Sequence, residues 1–290
     1  MTSAMLPPAP SGGPVDDTAV DDKELLAAKT RGGGFWRDVF RRLRRNPSAW
    51  VGAVIISIFV LVAIFAPWLA PYGPEELPGQ QYITPGHIPG PGEIEGFPLG
   101  LVGGMILGLV AATFGGWVDT TIMRFVDILL SVPSLLLAVS IAALMGQTPL
   151  AIMIAIGAAQ VPIFARLLRA SMLQQRSSDY VLSAATLRLG RGRITMSHVL
   201  PNAVGPVIVQ ATLTLATAVI EAAGLSYLGL GGGVPQTAEW GRMLTYAQLE
   251  LAVNPWIAIL PGICITVTAL GFTLLGEALR EAMDPRTRAR

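Results

Sequence analysis

The sequence predicts an all-α membrane protein with six transmembrane helices, and three observations carry that expectation. Of its 290 residues, 52% are hydrophobic and only 13% charged, with a mean hydropathy of +0.57. Soluble domains carry about 25% charged residues. The deficit is concentrated in long uncharged runs of the length that crosses a bilayer. The charges that remain are sorted, with arginines gathered in some connections and acids in others.

Residues 1–34 are rich in Pro, Gly, Asp and Ala and lack an apolar core, so they do not read as a cleavable signal. Too little apolar surface is available there to offset ordering entropy, and a disordered cytoplasmic tail is expected. Residues 35–46 interleave Arg37, Arg41, Arg42, Arg44 and Arg45 with Phe35, Trp36, Val39, Phe40 and Leu43. That pattern reads as a basic amphipathic segment lying on the membrane surface. Five arginines beside a span mark the cytoplasmic side, and a nucleic-acid patch is disfavoured by the abutting span. The first transmembrane helix is expected over 47–70. Its centre, 51–69, is long enough at 1.5 Å per residue to cross a core of about 30 Å.

Residues 71–100 contain Glu75, Glu76, Glu93 and Glu95 with no Lys or Arg. Frequent Pro and Gly predict an irregular extracellular loop. Residues 101–290 form the membrane core. The run 101–114 is apolar but short for a span. From 128 to 165 an uncharged stretch is broken by Gly146-Gln147-Thr148-Pro149, predicting two spans joined by a tight turn. A basic segment follows, with Arg166, Arg169, Arg176, Arg188, Arg191 and Arg193 against the single acid Asp179. The next span is expected over 194–220, with Pro201 near its start, where a missing N–H matters least. A further loop carries Glu221, Glu239, Arg242 and Glu250. The last span covers about 256–276, before Arg280, Arg286, Arg288 and Arg290.

Charge parity settles the count. With the N-terminus inside, the basic segment is cytoplasmic only if 101–114 belongs to a real span. Dropping it would put six arginines outside and the acidic loop inside. Six spans with both termini cytoplasmic are therefore expected.

The chemistry-bearing residues are few. Two histidines and Cys264 form neither a metal cluster nor an internal disulfide, and Cys264, inside an apolar run, reads as packing. A transporter driven by an ion gradient usually keeps ionisable groups within its spans. Here Asp127, Glu221 and Glu277 lie only at span edges. The chain also lacks G-x-x-x-x-G-K-[ST], so it has no loop to cradle ATP. No catalytic, cofactor-binding or metal residue is expected, and a protein of this kind borrows its coupling chemistry from a partner. Residues 177–202 are the candidate docking point. Ser177-Ser178-Asp179 offers N-cap oxygens ahead of a short helix beginning Tyr180-Val181-Leu182, which Gly190 and Gly192 then break. An ordinary interfacial connector remains the other reading.

Several fragments, weak singly, are specific in their order and spacing. They include Phe114-Gly115-Gly116-Trp117-Val118-Asp119, Met123-Arg124 with Asp127, Pro133-Ser134-Leu135, Ala165-Arg166 with Arg169, and Asp179-Tyr180-Val181. Further on come Leu225-Ser226-Tyr227-Leu228-Gly229-Leu230-Gly231, Trp240-Gly241, Pro255-Trp256, Pro261-Gly262 and Gly276-Glu277-Ala278-Leu279-Arg280. In these residues the chain resembles the C-type permease subunits of dipeptide/oligopeptide ABC importers, a family that also includes nickel importers. The likeness is loose over 36–100 and close over 101–290.

The resemblance implies that 101–290 is a permease core domain and that 177–202 bears the family's E-A-A-x3-G-x9-I-x-L-P motif, a helix that fits a groove on the ATPase. Counting back from Leu200-Pro201, Leu182 stands at the Glu position, Ser183 and Ala184 at the Ala positions, Arg188 at the Gly position and His198 at the Ile position. Gly190 would supply the turn two residues late. Tyr180 and Arg193 complete the expected coupling surface. The implied partners are a second homologous permease, two ATPase domains that bind the ATP, membrane lipid and an extracellular lipid-anchored or periplasmic substrate-binding protein, with no nucleic acid. The implied setting is the plasma (inner) membrane of a prokaryote and the implied cargo a peptide; nickel or another small solute is the alternative, and a gradient-driven secondary transporter a more distant one. One departure is large. After Pro98-Leu99-Gly100 the family continues with a T-D-x-x-G-R-D-like stretch, whereas here the later half of a span follows at once. Roughly two dozen residues of the pattern are missing, by deletion or by omission, and omission is preferred because a half-span leaves backbone groups facing lipid.

Overall fold

The computed structural model describes residues 35–69, 91–146, 148–187, 189–231 and 239–284, and its regular structure there is entirely helical. The expected tail 1–34, most of loop 71–100 and Arg188 lie outside the described residues. The chain divides into two units, residues 1–42 and 43–290. The first contributes most of a basic helix, α1 (Phe35–Leu43), in which Arg41 pairs with Asp38 one turn earlier at 3.7 Å. Both side chains are mostly exposed, so the pair contributes under about 1 kcal/mol.

The second unit is a helical bundle. Its elements are α2 (Pro47–Leu69), α3 (Pro91–Phe114), α4 (Gly116–Leu130), α5 (Ser134–Met145) and α6 (Pro149–Arg176). There follow α7 (Asp179–Thr186), α8 (Arg191–Ile194), a π-helical turn (Thr195–Val199), α9 (Leu200–Tyr227), α10 (Trp240–Glu250) and α11 (Trp256–Met283). The starts of α2 and α6 follow the same chemistry. The Asn46 side chain accepts from Ser48 N at 2.9 Å and the Thr148 hydroxyl from Ala151 N at 3.1 Å, each just before a proline at the first helical position.

α6 is the central helix, with α3, α5 and α9 packed on it. The packing of α3 has a specific cause. Gly100, Gly104 and Gly108 recur every four residues, and a Cβ placed on each would stand 2.5, 2.6 and 2.5 Å from the carbonyl oxygens of Gly157, Val161 and Ala165. Those carbonyls also recur every four residues, so two backbones run in contact along matched faces, as small residues permit in membranes. Apolar residues form two clusters. Ala112, Phe164, Leu168, Met172, Val199, Ala203 and Val207 make one; Ala138, Ala142, Ile152, Ala155, Ile156, Ala222 and Leu225 make the other. α2 instead turns Trp50, Val54, Ile58 and Leu61 outward, as a lipid-facing helix does.

Side-chain ties sort the helix ends onto one face. Asn46 Nδ2 donates to Glu281 Oε2 at 2.8 Å, joining the start of α2 to the end of α11. Arg176 donates to Ala112 O at 2.6 Å, joining the ends of α6 and α3. The Ser171 hydroxyl donates to Ala203 O at 2.8 Å, bringing in the start of α9. A Cβ on Gly205 would meet Met283 Cε at 3.0 Å, linking that start back to α11. Consecutive legs therefore alternate in direction, with α4 and α5 together making one.

Three expectations need correction. Residues 91–100, expected in the outer loop, are helical and open α3, which lengthens the short apolar segment that carries Leu101. The stretch 128–165 does turn between α5 and α6, but α5 has only twelve residues and makes a leg only together with α4, which it meets at a 91° bend. Pro133 explains it, since proline removes a donor and disfavours helix at the residue before it. Residues 221–250, expected as a loop, contain the last two turns of α9 and all of α10. By length and composition alone, four described helices can cross a bilayer, or five with the bent pair as one. α3, whose apolar part is Pro98–Phe114, supplies the sixth leg.

Candidate functional site

The segment 177–202 sits on the face where the arginines collect. Its helix α7 forms as expected, but not by the expected cap. The Ser177 and Ser178 hydroxyls donate backward, to Gln174 O and Gln175 O, and close the end of α6 instead of capping α7. Backbone bonds from Val181 and Leu182 to Ser178 O start the new helix, at 3.0 and 3.1 Å. The Tyr180 hydroxyl donates to Gln175 Oε1 at 2.8 Å and holds the two helices at their corner.

α7 has two distinct sides. Val181 and Ala184, three residues apart, are buried, and Val181 packs into the cluster of Leu168, Met172 and Val199. Burying a valine contributes about 1.5–3 kcal/mol, enough to seat a helix too short to stand alone. The other side carries Leu182 at 55% exposure and Leu187 at 75%, with Met196 at 55% beyond the turn. Ser183 is exposed, its hydroxyl returned to Asp179 O at 2.9 Å. Sequence reasoning placed Leu182 and Ser183 at motif positions but missed Leu187 and Met196. The three-residue spacing of Val181 and Ala184 was the available signal for which side turns inward.

The expected turn chemistry differs. Gly190 has φ −61°, a conformation open to any residue, and a Cβ there would meet nothing within 4 Å. Gly192 lies inside α8 instead of breaking a helix. Arg193, also in α8, is exposed. His198 lies in the π-helical turn, where its Nδ1 is buried without a hydrogen-bond partner while Asn202 Nδ2 donates to its carbonyl at 2.8 Å. The turn has a local cause. Pro201 offers no N–H and its ring crowds the carbonyl four residues back, so Leu200 N reaches instead to Thr195 O. Leu200 is half-buried and Pro201 exposed, at the first two positions of α9. Of the expected residues, Tyr180, Leu182 and Ser183 share the outer part of α7 and Ala184 faces inward; Gly190, Arg193, His198, Leu200 and Pro201 follow along the connector, and Arg188 lies outside the described residues.

The same face is braced by arginines of α6. Arg166, Arg169 and Arg176 lie on one side of that helix, at spacings of three and seven. Arg169 grips Asp119 of α4 with two bonds, one of them Nη2 to Oδ2 at 2.5 Å, and Arg166 pairs with Asp127. Arg176 caps the free carbonyls of α3. The Arg169 and Asp119 side chains are 29% and 18% exposed, whereas Arg166 and Asp127 are half exposed. Arg169→Ala is therefore expected to cost about 2–3 kcal/mol and Arg166→Ala under about 1 kcal/mol, as thermal unfolding in mild detergent would measure.

One charged residue was misplaced by the sequence reading. Glu221, expected at a span edge, is buried at 8% exposure within α9. Its Oε1 accepts from the Ser134 hydroxyl at 2.8 Å and its Oε2 from Gln160 Nε2 at 3.2 Å. Among the described residues no group of three or more His, Cys, Asp or Glu is placed to hold a metal ion.

Comparison with known proteins agrees with this architecture. Residues 104–289 match the family described as "Binding-protein-dependent transport system inner membrane component". Residues 34–86 match "N-terminal TM domain of oligopeptide transport permease C". The chain is 37% identical over 277 residues to the dipeptide transport system permease protein DppC of Alkalihalophilus pseudofirmus, covering 88% of this chain and 91% of the relative. It is 33% identical over 275 residues to the glutathione transport system permease protein GsiD of Escherichia coli O157:H7, covering 87% and 90%. Set against 88% of 290 residues, 277 aligned positions leave about 22 that the first relative fills and this chain does not, a shortfall of the size expected after Gly100. With matches across both its N-terminal leg and its core, the chain belongs to the binding-protein-dependent transport system inner membrane components, as a multi-pass permease subunit of the oligopeptide permease C type.

Proposed function

We propose that this chain forms half of the translocation pathway of an ATP-driven importer that carries di- or oligopeptides. The observation that carries the reading is α7, a short helix seated by Val181 and Ala184 that leaves Leu182 uncovered on the arginine-rich face. An apolar, helical projection left exposed among the described residues suits a groove on an ATPase. The likeness to permeases named for dipeptide and glutathione transport favours a peptide cargo over nickel or another small solute. A second homologous permease would complete the pathway, and two ATPase domains would bind the ATP. A lipid-anchored or periplasmic binding protein would deliver the peptide from outside.

Arginine content supports a cytoplasmic placement of both termini. The α2 start, next to five arginines, meets the α11 end beside Arg280. Rocking of the ATPases would pass through α7 and the π-helical turn into α6 and α9, which flank the loop. A gradient-driven transporter is disfavoured, since Asp119 and Asp127 are matched by arginines and the buried Glu221 has only Ser134 and Gln160 beside it, so the described residues form no chain of proton-carrying groups across the bundle. Replacing the P-loop lysine of the ATPase partners is expected to abolish peptide uptake into proteoliposomes while the complex still purifies intact. Uptake that persists with ATP hydrolysis dead, and collapses with the ion gradient, would sink this scheme.

A further inference from the structure

We propose that Glu221, with Gln160 and Ser134, is a station for a primary ammonium group, taking the α-ammonium of a peptide as it passes; this rests on the peptide reading above. Glu221 is the one carboxylate among the described residues that is buried. The other two carboxylates that meet α6 each have a guanidinium, Asp119 with Arg169 and Asp127 with Arg166. Glu221 has only neutral donors, a hydroxyl and an amide.

A carboxylate offers about four lone-pair positions, and two are used here. Burying one in a membrane bundle without a counter-ion is unfavourable, so such a group is a natural receiver for a cation. The three residues come from three separate helices. Ser134 opens α5 directly after the 91° bend, Gln160 lies on α6, and Glu221 on α9. On α6, Gln160 falls between the residues of the two apolar clusters, Ala159 on one side and Phe164 on the other. On α9, Thr214 is also buried, two turns before Glu221 on the same helical side, and accepts from Gln210 Nε2 at 3.3 Å. Gln160 stands about 16 Å from the start of α6, at 1.5 Å per residue, so the station lies well inside the bundle. One buried carboxylate without a counter-ion, set among apolar residues, suits a cargo that is neutral along most of its length and cationic at one end. Ser134 and Gln160, as neutral donors, hold the carboxylate in place without competing for its charge.

A purely structural latch makes the opposite prediction to a charge station, and two substitutions separate them. Glu221→Gln keeps length and an acceptor oxygen but removes the charge; Glu221→Asp keeps the charge and shortens the reach. The complete complex, with its ATPases and binding protein in proteoliposomes, would be assayed for uptake of labelled tri-alanine, alongside ATP hydrolysis stimulated by the loaded binding protein. E221Q is expected to lose at least tenfold in uptake while stimulated hydrolysis and thermal stability stay near wild type; E221D is expected to stay within about threefold. N-acetylation of tri-alanine should lower wild-type uptake, normalised to binding-protein occupancy, to the level of E221Q. E221Q transporting like wild type, E221D failing more severely than E221Q, or equal wild-type rates for the free and acetylated peptides would each overturn the station. Absence of any peptide uptake by wild type would instead remove the peptide reading itself.

Discussion

Replacing Gly104 with leucine is expected to leave no folded bundle to purify. A Cβ at this position already stands 2.5 Å from Phe164 Cβ, 2.6 Å from Val161 O and 3.1 Å from Ala165 N. None of these can swing aside, because two belong to the α6 backbone and the third is bonded to it. Overpacking costs about 1–3 kcal/mol and occasionally more, and a site walled by backbone belongs at the upper end. The damage would spread, since α3 and α6 form the most extensive helix pairing among the described residues and Phe164 sits in a buried cluster. Gly104→Ala should survive with a lowered unfolding temperature. Gly103→Ala, one residue away, should stay near wild type, because its Cβ would meet only the Val161 Cγ2 at 3.3 Å. Chromatography in mild detergent followed by thermal unfolding separates the three. A leucine variant that purifies normally and melts like wild type would refute this packing.

The glycine spacing that creates this contact was visible in the sequence, yet its partner was not. Gly100, Gly104 and Gly108 show their period directly, whereas the matching carbonyls belong to Gly157, Val161 and Ala165, whose side chains announce nothing. The same asymmetry runs through the rest of the molecule. Hydropathy located α2, α6, α9 and α11, because lipid selects long apolar runs regardless of what they pack against. It overlooked the bend at Pro133, since an uncharged run scores alike whether straight or broken. Ser177 and Ser178 resembled a cap because their oxygens precede a helix, but a hydroxyl also donates, and the end of α6 offered carbonyls within reach. Glu221 looked interfacial by position. Its burial depends on Gln160 and Ser134, 61 and 87 residues away in the chain. The segment proposed for docking was legible as a short helix because that helix is local, and only the choice of inward face required Leu168, Met172 and Val199.

Leu182→Asp should abolish transport without disturbing the permease itself. Leu182 is 55% exposed on the outer side of α7, so a carboxylate there remains solvated and the unfolding temperature should be unchanged. In a groove on an ATPase the same carboxylate would be desolvated without a partner. Central interface residues contribute about 2 kcal/mol or more each, so the affinity between permease and ATPase should fall at least about thirtyfold. Uptake should fall with it, and isolated ATPase activity should remain. Val181→Ala on the adjacent position gives the reciprocal result. It empties space in the cluster of Met172 and Val199 and should lower stability by about 1–3 kcal/mol, while leaving the outer surface chemically intact. Pull-down of the ATPase, uptake and melting, measured on both variants, distinguish a docking helix from a mere connector. In a connector, Leu182→Asp would bind ATPase and transport like wild type, because no partner would cover the exposed side of that residue.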